Sequence, residues 1–91
     1  MIVYVIERNN PQTWEEPQIV LNGKDALNIV REEYENKINE LSEIYRSEKS
    51  MEIFEFGCYW FFDENSFTGT ATIEADYLTD KWEWRITEHN I

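Results

Sequence analysis

The sequence predicts a single α+β domain, residues 1–91, with the element order ββαβββ, an antiparallel-rich sheet and one long helix packed on one face. Three observations predict this fold class. The chain of 91 residues is long enough for one core and too short for two. Its middle part has apolar residues at helical spacing, and both flanks have strand-like patterns broken by polar loops. With 42% hydrophobic and 15% aromatic residues, the chain can bury enough apolar surface to fold.

Two strands are predicted before the helix. Residues 1–8 are apolar on both alternating faces from Ile2 to Ile6, which is typical of a strand that is covered on two sides or lies centrally. An Asn-Asn-Pro segment ends that strand, and residues 18–21 form a short return strand after a polar loop. We therefore expect the first strand beside the C-terminal strand and the short strand at an edge of the sheet.

The helix is predicted to start at Asn22, whose side chain suits the N-cap, with Asp25 in the first turn, where the helix dipole favours an anion. It runs for about 24 residues, or roughly 36 Å, and ends at the polar residues 47–50. Its apolar stripe suits either packing on a sheet or a coiled-coil dimer. Packing on the sheet is favoured because the strands after the helix need a cover. The stripe consists of Leu27, Val30, Tyr34, Ile38, Leu41 and Tyr45.

Three strands follow the helix as an antiparallel meander. They are predicted at residues 52–62, 67–77 and 82–88, joined by four-residue loops at 63–66 and 78–81. Pairing the residues that flank each loop sets the register, so that Phe62 lies opposite Phe67 and Tyr77 lies opposite Trp82.

In this register one face of the meander is expected to pack against the helix. Trp60 falls beside Gly69 and Trp84 beside Ala75, so large side chains meet small ones. Cys58 is expected to be a buried small hydrophobe. The inward residues are Phe54, Phe56, Cys58, Trp60, Phe62, Phe67, Gly69, Ala71, Ile73, Ala75, Tyr77, Trp82, Trp84 and Ile86.

The opposite face is predicted to be wet and acidic. One row places Glu55 beside Glu74 and Arg85, so that two carboxylates are direct neighbours, which destabilises a sheet by some tenths of a kcal/mol. A second row places Asp76 beside Glu83, and Arg85 is the only base expected nearby. The outward residues are Ile53, Glu55, Gly57, Tyr59, Phe61, Thr68, Thr70, Thr72, Glu74, Asp76, Glu83, Arg85 and Thr87.

The charge distribution excludes several classes of partner. The chain carries a formal charge of −11, and residues 51–91 hold nine of its 19 acidic residues with only two bases. Binding of nucleic acid or of a membrane surface relies on clustered Lys and Arg, so we expect neither direct nucleic-acid binding nor membrane binding. Acidity that serves only solubility is the simplest alternative.

The single Cys58 cannot form an internal disulfide, and the N-terminal apolar run is too short for a signal or membrane segment. We therefore expect a cytoplasmic protein.

Four interpretations of the acidic face compete. It is a solvated surface whose repulsion is screened, or it is a docking face for a basic protein surface. In the docking interpretation the carboxylates provide steering charge and the aromatic residues provide contact area. The partner-binding residues would be Glu55, Tyr59, Phe61, Glu74, Asp76, Glu83 and Arg85.

The other two interpretations are chemical. Asp76, Asp80 and Glu83 bracket one turn and could hold a divalent cation, but their spacing matches no EF-hand loop. Glu55 and Glu74 could form a catalytic carboxylate pair, but an open sheet face offers no deep cleft for a substrate. We expect no metal and no catalytic site.

Other reactive groups are sparse. His89 is the only histidine, and a solvated tail position is expected for it. No serine lies in a G-x-S-x-G context, and the three scattered glycines form no phosphate loop. No cofactor is therefore expected.

Together these features predict a non-enzymatic acidic binding protein that occludes a basic surface of a protein partner, such as a surface that binds nucleic acid. Small acidic phage antagonists of host defence and immunity-type inhibitors of nucleases act in this general way, although no residue pattern here identifies either class. The alternative is an accessory or structural module, monomeric or homodimeric through a sheet edge or the helix.

Overall fold

The computed structural model of the protein describes residues 1–11, 15–47, 56–75 and 80–91. These residues form five strands and one helix in the predicted order. The elements are β1 (Ile2–Asn9), β2 (Gln18–Val20), α1 (Gly23–Ser47), β3 (Phe56–Asp63), β4 (Thr68–Ala75) and β5 (Asp80–Asn90). The helix packs against one five-stranded antiparallel sheet, which confirms the α+β fold class.

The strands lie in the order β2-β1-β5-β4-β3, and every neighbouring pair is antiparallel. β5 is central, and β2 and β3 are the two edges. The placement of β1 beside the C-terminal strand and of the short strand at an edge is confirmed. The apolar character of β1 explains its interior position, because Val3 and Ile6 are both buried.

The predicted start of the helix is also confirmed. The side-chain oxygen of Asn22 accepts hydrogen bonds from the backbone N–H groups of Lys24 and Asp25, at 2.9 Å and 3.2 Å. The N–H of Ala26 donates to the Asn22 carbonyl at 3.1 Å and closes the first helical turn. Asn22 is therefore the N-cap, and it satisfies donors that the helix itself leaves unpaired.

The core lies between α1 and the inner face of the sheet. Four residues of the predicted helical stripe are buried, and Ile38 packs partly against them, whereas the side chain of Tyr45 lies outside the described residues. The sheet contributes buried side chains from three strands, β1, β4 and β5. The buried cluster consists of Ile6, Ala26, Val30, Tyr34, Leu41, Ala71, Ile73, Trp82, Trp84 and Ile86.

The register of the first hairpin differs from the prediction. Phe62 lies opposite Gly69, two residues beyond Phe67. The loop comprises residues 64–67, because the Asp63 carboxylate accepts the N–H of Asn65 at 3.0 Å, and its carbonyl accepts the N–H of Ser66 at 3.2 Å. Phe67 ends the loop with a positive φ of 56° and so lies outside the strand.

The register of the second hairpin differs further. Trp84 lies opposite Ala71, four residues before the predicted partner Ala75, and Ala75 pairs with Asp80. Residues 76–79 lie outside the described residues. Both shifts are even, so each strand keeps its inward and outward faces while its cross-strand neighbours change. Ala71, fully buried, now sits between Trp60 and Trp84, so large side chains still meet a small one.

The expectation that Cys58 is buried is wrong, since this residue is exposed. The backbone of α1 approaches β1, β2, β4 and β5, whereas the described part of β3 lies beyond it. Trp60 and Phe62 on the same side of β3 are accordingly only partly buried. An edge strand to one side of a single helix receives incomplete cover.

Candidate docking face

The side of the sheet that faces away from α1 is called the outer face here. Alternation along each strand and the observed pairings place every second residue on it. From β3 to β5 it carries few apolar groups other than two aromatic side chains at its margin, whereas β1 adds Val3 and Val5. Its central described residues are Glu7, Asn9, Gly57, Tyr59, Phe61, Asp63, Thr68, Thr70, Thr72, Glu74, Lys81, Glu83, Arg85 and Thr87.

Tyr59 and Phe61 project from edge strand β3 onto the outer face. The two residues are 59% and 76% exposed, which is high for large apolar residues. Tyr59 lies opposite Thr72 and Phe61 opposite Thr70, so short hydroxyl side chains flank both rings. The ring of Tyr59 also leans over Gly57, where an added Cβ would lie 3.0 Å from it. The pair provides flat, accessible contact area.

Lys81, rather than Arg85, neutralises the carboxylates of the outer face. Its ammonium lies 2.9 Å from the Glu83 carboxylate and 3.6 Å from that of Glu74. The hydrogen bond to Glu83, with the nearby Glu74 charge, raises the pKa of the Lys81 ammonium. The prediction that placed Lys81 in a loop is wrong, because β5 begins at Asp80, two residues before the predicted start.

The predicted acidic rows are wrong because the registers of both hairpins are shifted, which changes the cross-strand neighbours. Glu74 lies opposite Gly57 and Lys81, and Arg85 lies opposite Thr70 and Glu7. Glu55 and Asp76 lie outside the described residues. The suggested catalytic pair required Glu55 to lie opposite Glu74, but the residue of β3 opposite Glu74 is Gly57.

The two described residues of the suggested cation site, Asp80 and Glu83, lie on opposite faces of β5. Asp80 shares the inner side of β5 with Trp82, whereas Glu83 points to the outer face, so the two carboxylates cannot converge on one ion. Within the described residues, no group of His, Cys, Asp or Glu side chains could hold a metal ion.

An open depression of about 360 Å³ occupies the centre of the outer face. Four of its charged lining residues lie on the outer face and alternate in sign, with Glu7 and Glu83 against Lys81 and Arg85. The fifth, Arg8, directs its guanidinium to Glu33 of the helix. The sequence analysis did not predict this depression, because it assigned no residue of β1 to the outer face. The alternation of side chains along β1 could have predicted it, since it places Glu7 on the side opposite to Ile6.

On the inner side, an unpredicted polar cluster joins β1 to the helix. Arg8 donates from Nε and Nη2 to both Glu33 carboxylate oxygens at 2.7 Å, and from Nη2 to the Gln18 side chain at 2.7 Å. Trp84 Nε1 donates to the same carboxylate at 3.4 Å. The hydrogen bond to Glu33 raises the pKa of the Arg8 guanidinium, against the effect of burial. These groups satisfy one another, which fits a structural ion pair.

The remaining reactive groups are not activated. Burial raises the pKa of Tyr34 to about 12, helped by its hydrogen bond to Cys58. Cys58 is exposed as a residue, but partial burial of its thiol raises the thiol pKa, while the hydrogen bond from Tyr34 acts in the opposite direction. A thiol with a raised pKa is a poor nucleophile. His89 lies within β5 rather than in a tail, is exposed, and hydrogen-bonds the Thr87 hydroxyl at 3.0 Å.

Among the described residues, no helix has the length and apolarity needed to cross a membrane. Comparisons of the chain with protein-family models, with curated proteins and with solved structures find no match.

Proposed function

We propose that the protein is a non-enzymatic binding protein that occupies a basic surface of a protein partner with the outer face of its sheet. The observation that carries the proposal is the exposure of Tyr59 and Phe61 beside the carboxylates of Glu74 and Glu83. Aromatic rings contribute large contact area at low entropic cost, and surrounding charges steer the approach of a partner.

The net charge of −11 supports fast association with a cationic partner, because long-range attraction raises encounter rates at low salt. Lys81 limits the free charge locally, since it already contacts Glu74 and Glu83. These contacts are solvent-exposed, with 48% of the Lys81 side chain accessible. A Lys or Arg of the partner can therefore replace Lys81 at little cost.

The mechanism would be steric and electrostatic occlusion. Carboxylates would stand where the phosphates of a nucleic acid lie on the partner, as in phage anti-defence proteins and immunity-type inhibitors that mimic nucleic acid. The absence of a deep, enclosed cavity among the described residues of the outer face supports binding of a surface over catalysis on a small substrate.

The first test is capture of partners from the native host, followed by measurement of the dissociation constant over a range of NaCl concentrations. Affinity should fall steeply with salt. The double variant Glu74→Gln/Glu83→Gln should weaken binding by about tenfold at low salt, because two carboxylates are lost and Lys81 is left unpaired.

A matched control is Glu32→Gln/Glu35→Gln, which removes two exposed carboxylates from α1, on the opposite side of the molecule. Both double variants change the formal charge from −11 to −9, since each loses two negative charges. The control should bind nearly as well as the unchanged protein. Equal losses in the two variants, or an affinity insensitive to salt, would show that the outer face is not the binding surface.

The alternative function is an accessory or structural module in which acidity serves solubility. Its homodimeric form is favoured by the same exposed rings, because a symmetric partner could cover Tyr59 and Phe61. Sedimentation at low and high salt separates the two functions. A stable dimer that buries both rings would leave no free docking face.

A further inference from the structure

β3 is an open edge of the sheet. Within the part of the chain that the structure describes, Phe56–Asp63 pairs with β4 on one side and with no strand on the other. The opposite edge, β2, is only three residues long. An unpaired edge presents a row of N–H and C=O groups that another strand can satisfy.

The β3 edge lacks the features by which proteins usually protect such edges. Its sequence is FGCYWFFD, with no Lys, no Pro and no charged residue before Asp63. Its pairing with β4 runs without a skipped residue from Phe56 to Asp63, so no bulge twists the edge away. A long, regular, uncharged edge is suited to accepting a further strand.

Charge decides which strand it accepts. A second copy of the chain would bring another charge of −11, and this repulsion opposes self-pairing. A cationic segment is attracted instead. Acidic groups lie at both ends of β3, with exposed Asp63 and Glu64 at one end and Glu74 beside Gly57 at the other.

We propose that β3 binds an extended cationic segment of the protein partner as a sixth strand of the sheet. This inference rests on the proposed function, since the partner is the same basic protein, and it adds the binding mode. Backbone hydrogen bonds to β3 provide affinity, and alternate side chains of the segment lie on the outer face beside Tyr59 and Phe61. The aliphatic stems of Lys or Arg pack on these rings while their charged ends reach the carboxylates.

The test uses the unchanged protein and three synthetic peptides of about eight residues, a length matched to a typical strand. The first alternates Lys and Thr. The second is the same peptide methylated on every backbone nitrogen, which keeps the charge but removes every N–H donor. The third replaces each Lys by Gln, which keeps the backbone but removes the charge. Affinities are measured by titration, and amide hydrogen exchange of the protein is followed by NMR.

The Lys-Thr peptide should bind at low salt and slow the exchange of alternate amides between residues 56 and 63. The methylated peptide and the Gln-Thr peptide should each bind about tenfold more weakly, a loss equivalent to one or two hydrogen bonds or ion pairs.

Equal binding of the Lys-Thr peptide and its methylated form, without alternate protection in β3, would overturn strand addition and leave electrostatic docking standing. Equal binding of the Lys-Thr and Gln-Thr peptides would overturn the cationic occupant, and with it the electrostatic basis of the proposed function. Protection of β3 that rises with protein concentration alone would show that a second copy occupies the edge, and would also overturn the inference.

Discussion

Two glycines of the β3–β4 hairpin serve different purposes. Gly69 has a φ of +150°, and an added Cβ would lie 2.3 Å from the Phe61 carbonyl oxygen and 2.7 Å from the Phe62 Cα. Neither obstacle can move without breaking the strand. At Gly57 the three atoms nearest to an added Cβ all belong to the ring and hydroxyl of Tyr59, the closest at 3.0 Å, and that exposed ring can rotate away.

Gly69→Ala should therefore lower the free energy of unfolding by about 2–3 kcal/mol, because backbone strain and a backbone clash act together. Gly57→Ala should cost less than about 1 kcal/mol. Urea unfolding followed by tryptophan fluorescence measures both values. Similar losses in the two variants would contradict the contrast drawn between the two sites.

Tyr34 should make stability depend on pH in the alkaline range. Burial raises its pKa to about 12 in the folded protein, and its hydrogen bond to Cys58 adds to the shift, whereas tyrosine in an unfolded chain has a pKa of about 10. Because the pKa of Tyr34 is higher in the folded protein, its stabilising contribution is fully present at pH values below the pKa of the unfolded chain. The contribution is lost as the pH rises through the pKa of the folded protein. The unfolding free energy should fall by ~2 kcal/mol between about pH 10 and pH 12 through this group.

Tyr34→Phe should show a shallower fall over the same pH range. Tyr59→Phe is the matched control because it removes an exposed hydroxyl and leaves Tyr34 in place. If the unfolding free energies of Tyr34→Phe and of the unchanged protein fall equally with pH, Tyr34 is not the cause of the pH dependence. Urea unfolding at a series of pH values gives the comparison.

At the scale of elements, the order of strands and the helix boundaries followed from local signals. The Asn22 cap, the apolar stripe of α1 and the doubly apolar β1 each predicted a place in the fold, and the structure confirms all three. They were predictable because each depends on residues close together in the chain.

The two hairpin registers were not predictable by counting residues that flank the loops. The first loop is shifted because Asp63 caps the turn with its side chain and Phe67 adopts a positive φ, which is uncommon for a bulky residue. Phe67 is held there by long-range contacts, since its side chain packs over Gly23 at the start of α1 and its ring meets that of Tyr4 edge-on at 6.4 Å. Only the tertiary structure reveals those partners.

Arg8 and Cys58 show a second limit of local patterns. A strand with two apolar faces suggested no ion pair, yet Arg8 forms a two-pronged contact with Glu33. Cys58 has the alternation of a core residue but lies on an edge strand that the helix backbone does not approach, and the residue stays exposed. Alternation assigns a face to each residue, whereas burial depends on where the cover ends.

For the molecule as a whole, the candidate face was partly predictable. Alternation correctly directed Tyr59, Phe61, Glu74, Glu83 and Arg85 outward, because an even shift of register preserves faces. The charge balance of that face was not predictable, since it depends on which residues are direct neighbours.

The net charge of −11 should make the fold more stable as salt is added. Two effects of opposite sign compete. Salt weakens the ion pairs, but most of those described are exposed and each is worth only about 0–1 kcal/mol, while the more buried Arg8–Glu33 pair is screened less. Salt also screens the repulsion among the excess carboxylates, which acts on the compact state more than on the unfolded chain. The second effect should dominate.

The melting temperature should therefore rise between about 20 mM and 300 mM NaCl, over which the Debye length falls from roughly 20 Å to 6 Å. A gain of about 1 kcal/mol in the free energy of unfolding would raise the melting temperature by ~4–8 °C for a domain of this size. Glu32→Gln/Glu35→Gln should melt higher at low salt and gain less from added NaCl, because part of the repulsion is already gone. A melting temperature that falls with NaCl would mean that ion pairs outweigh repulsion, and the acidity would then be integrated into the fold instead of being available to a partner.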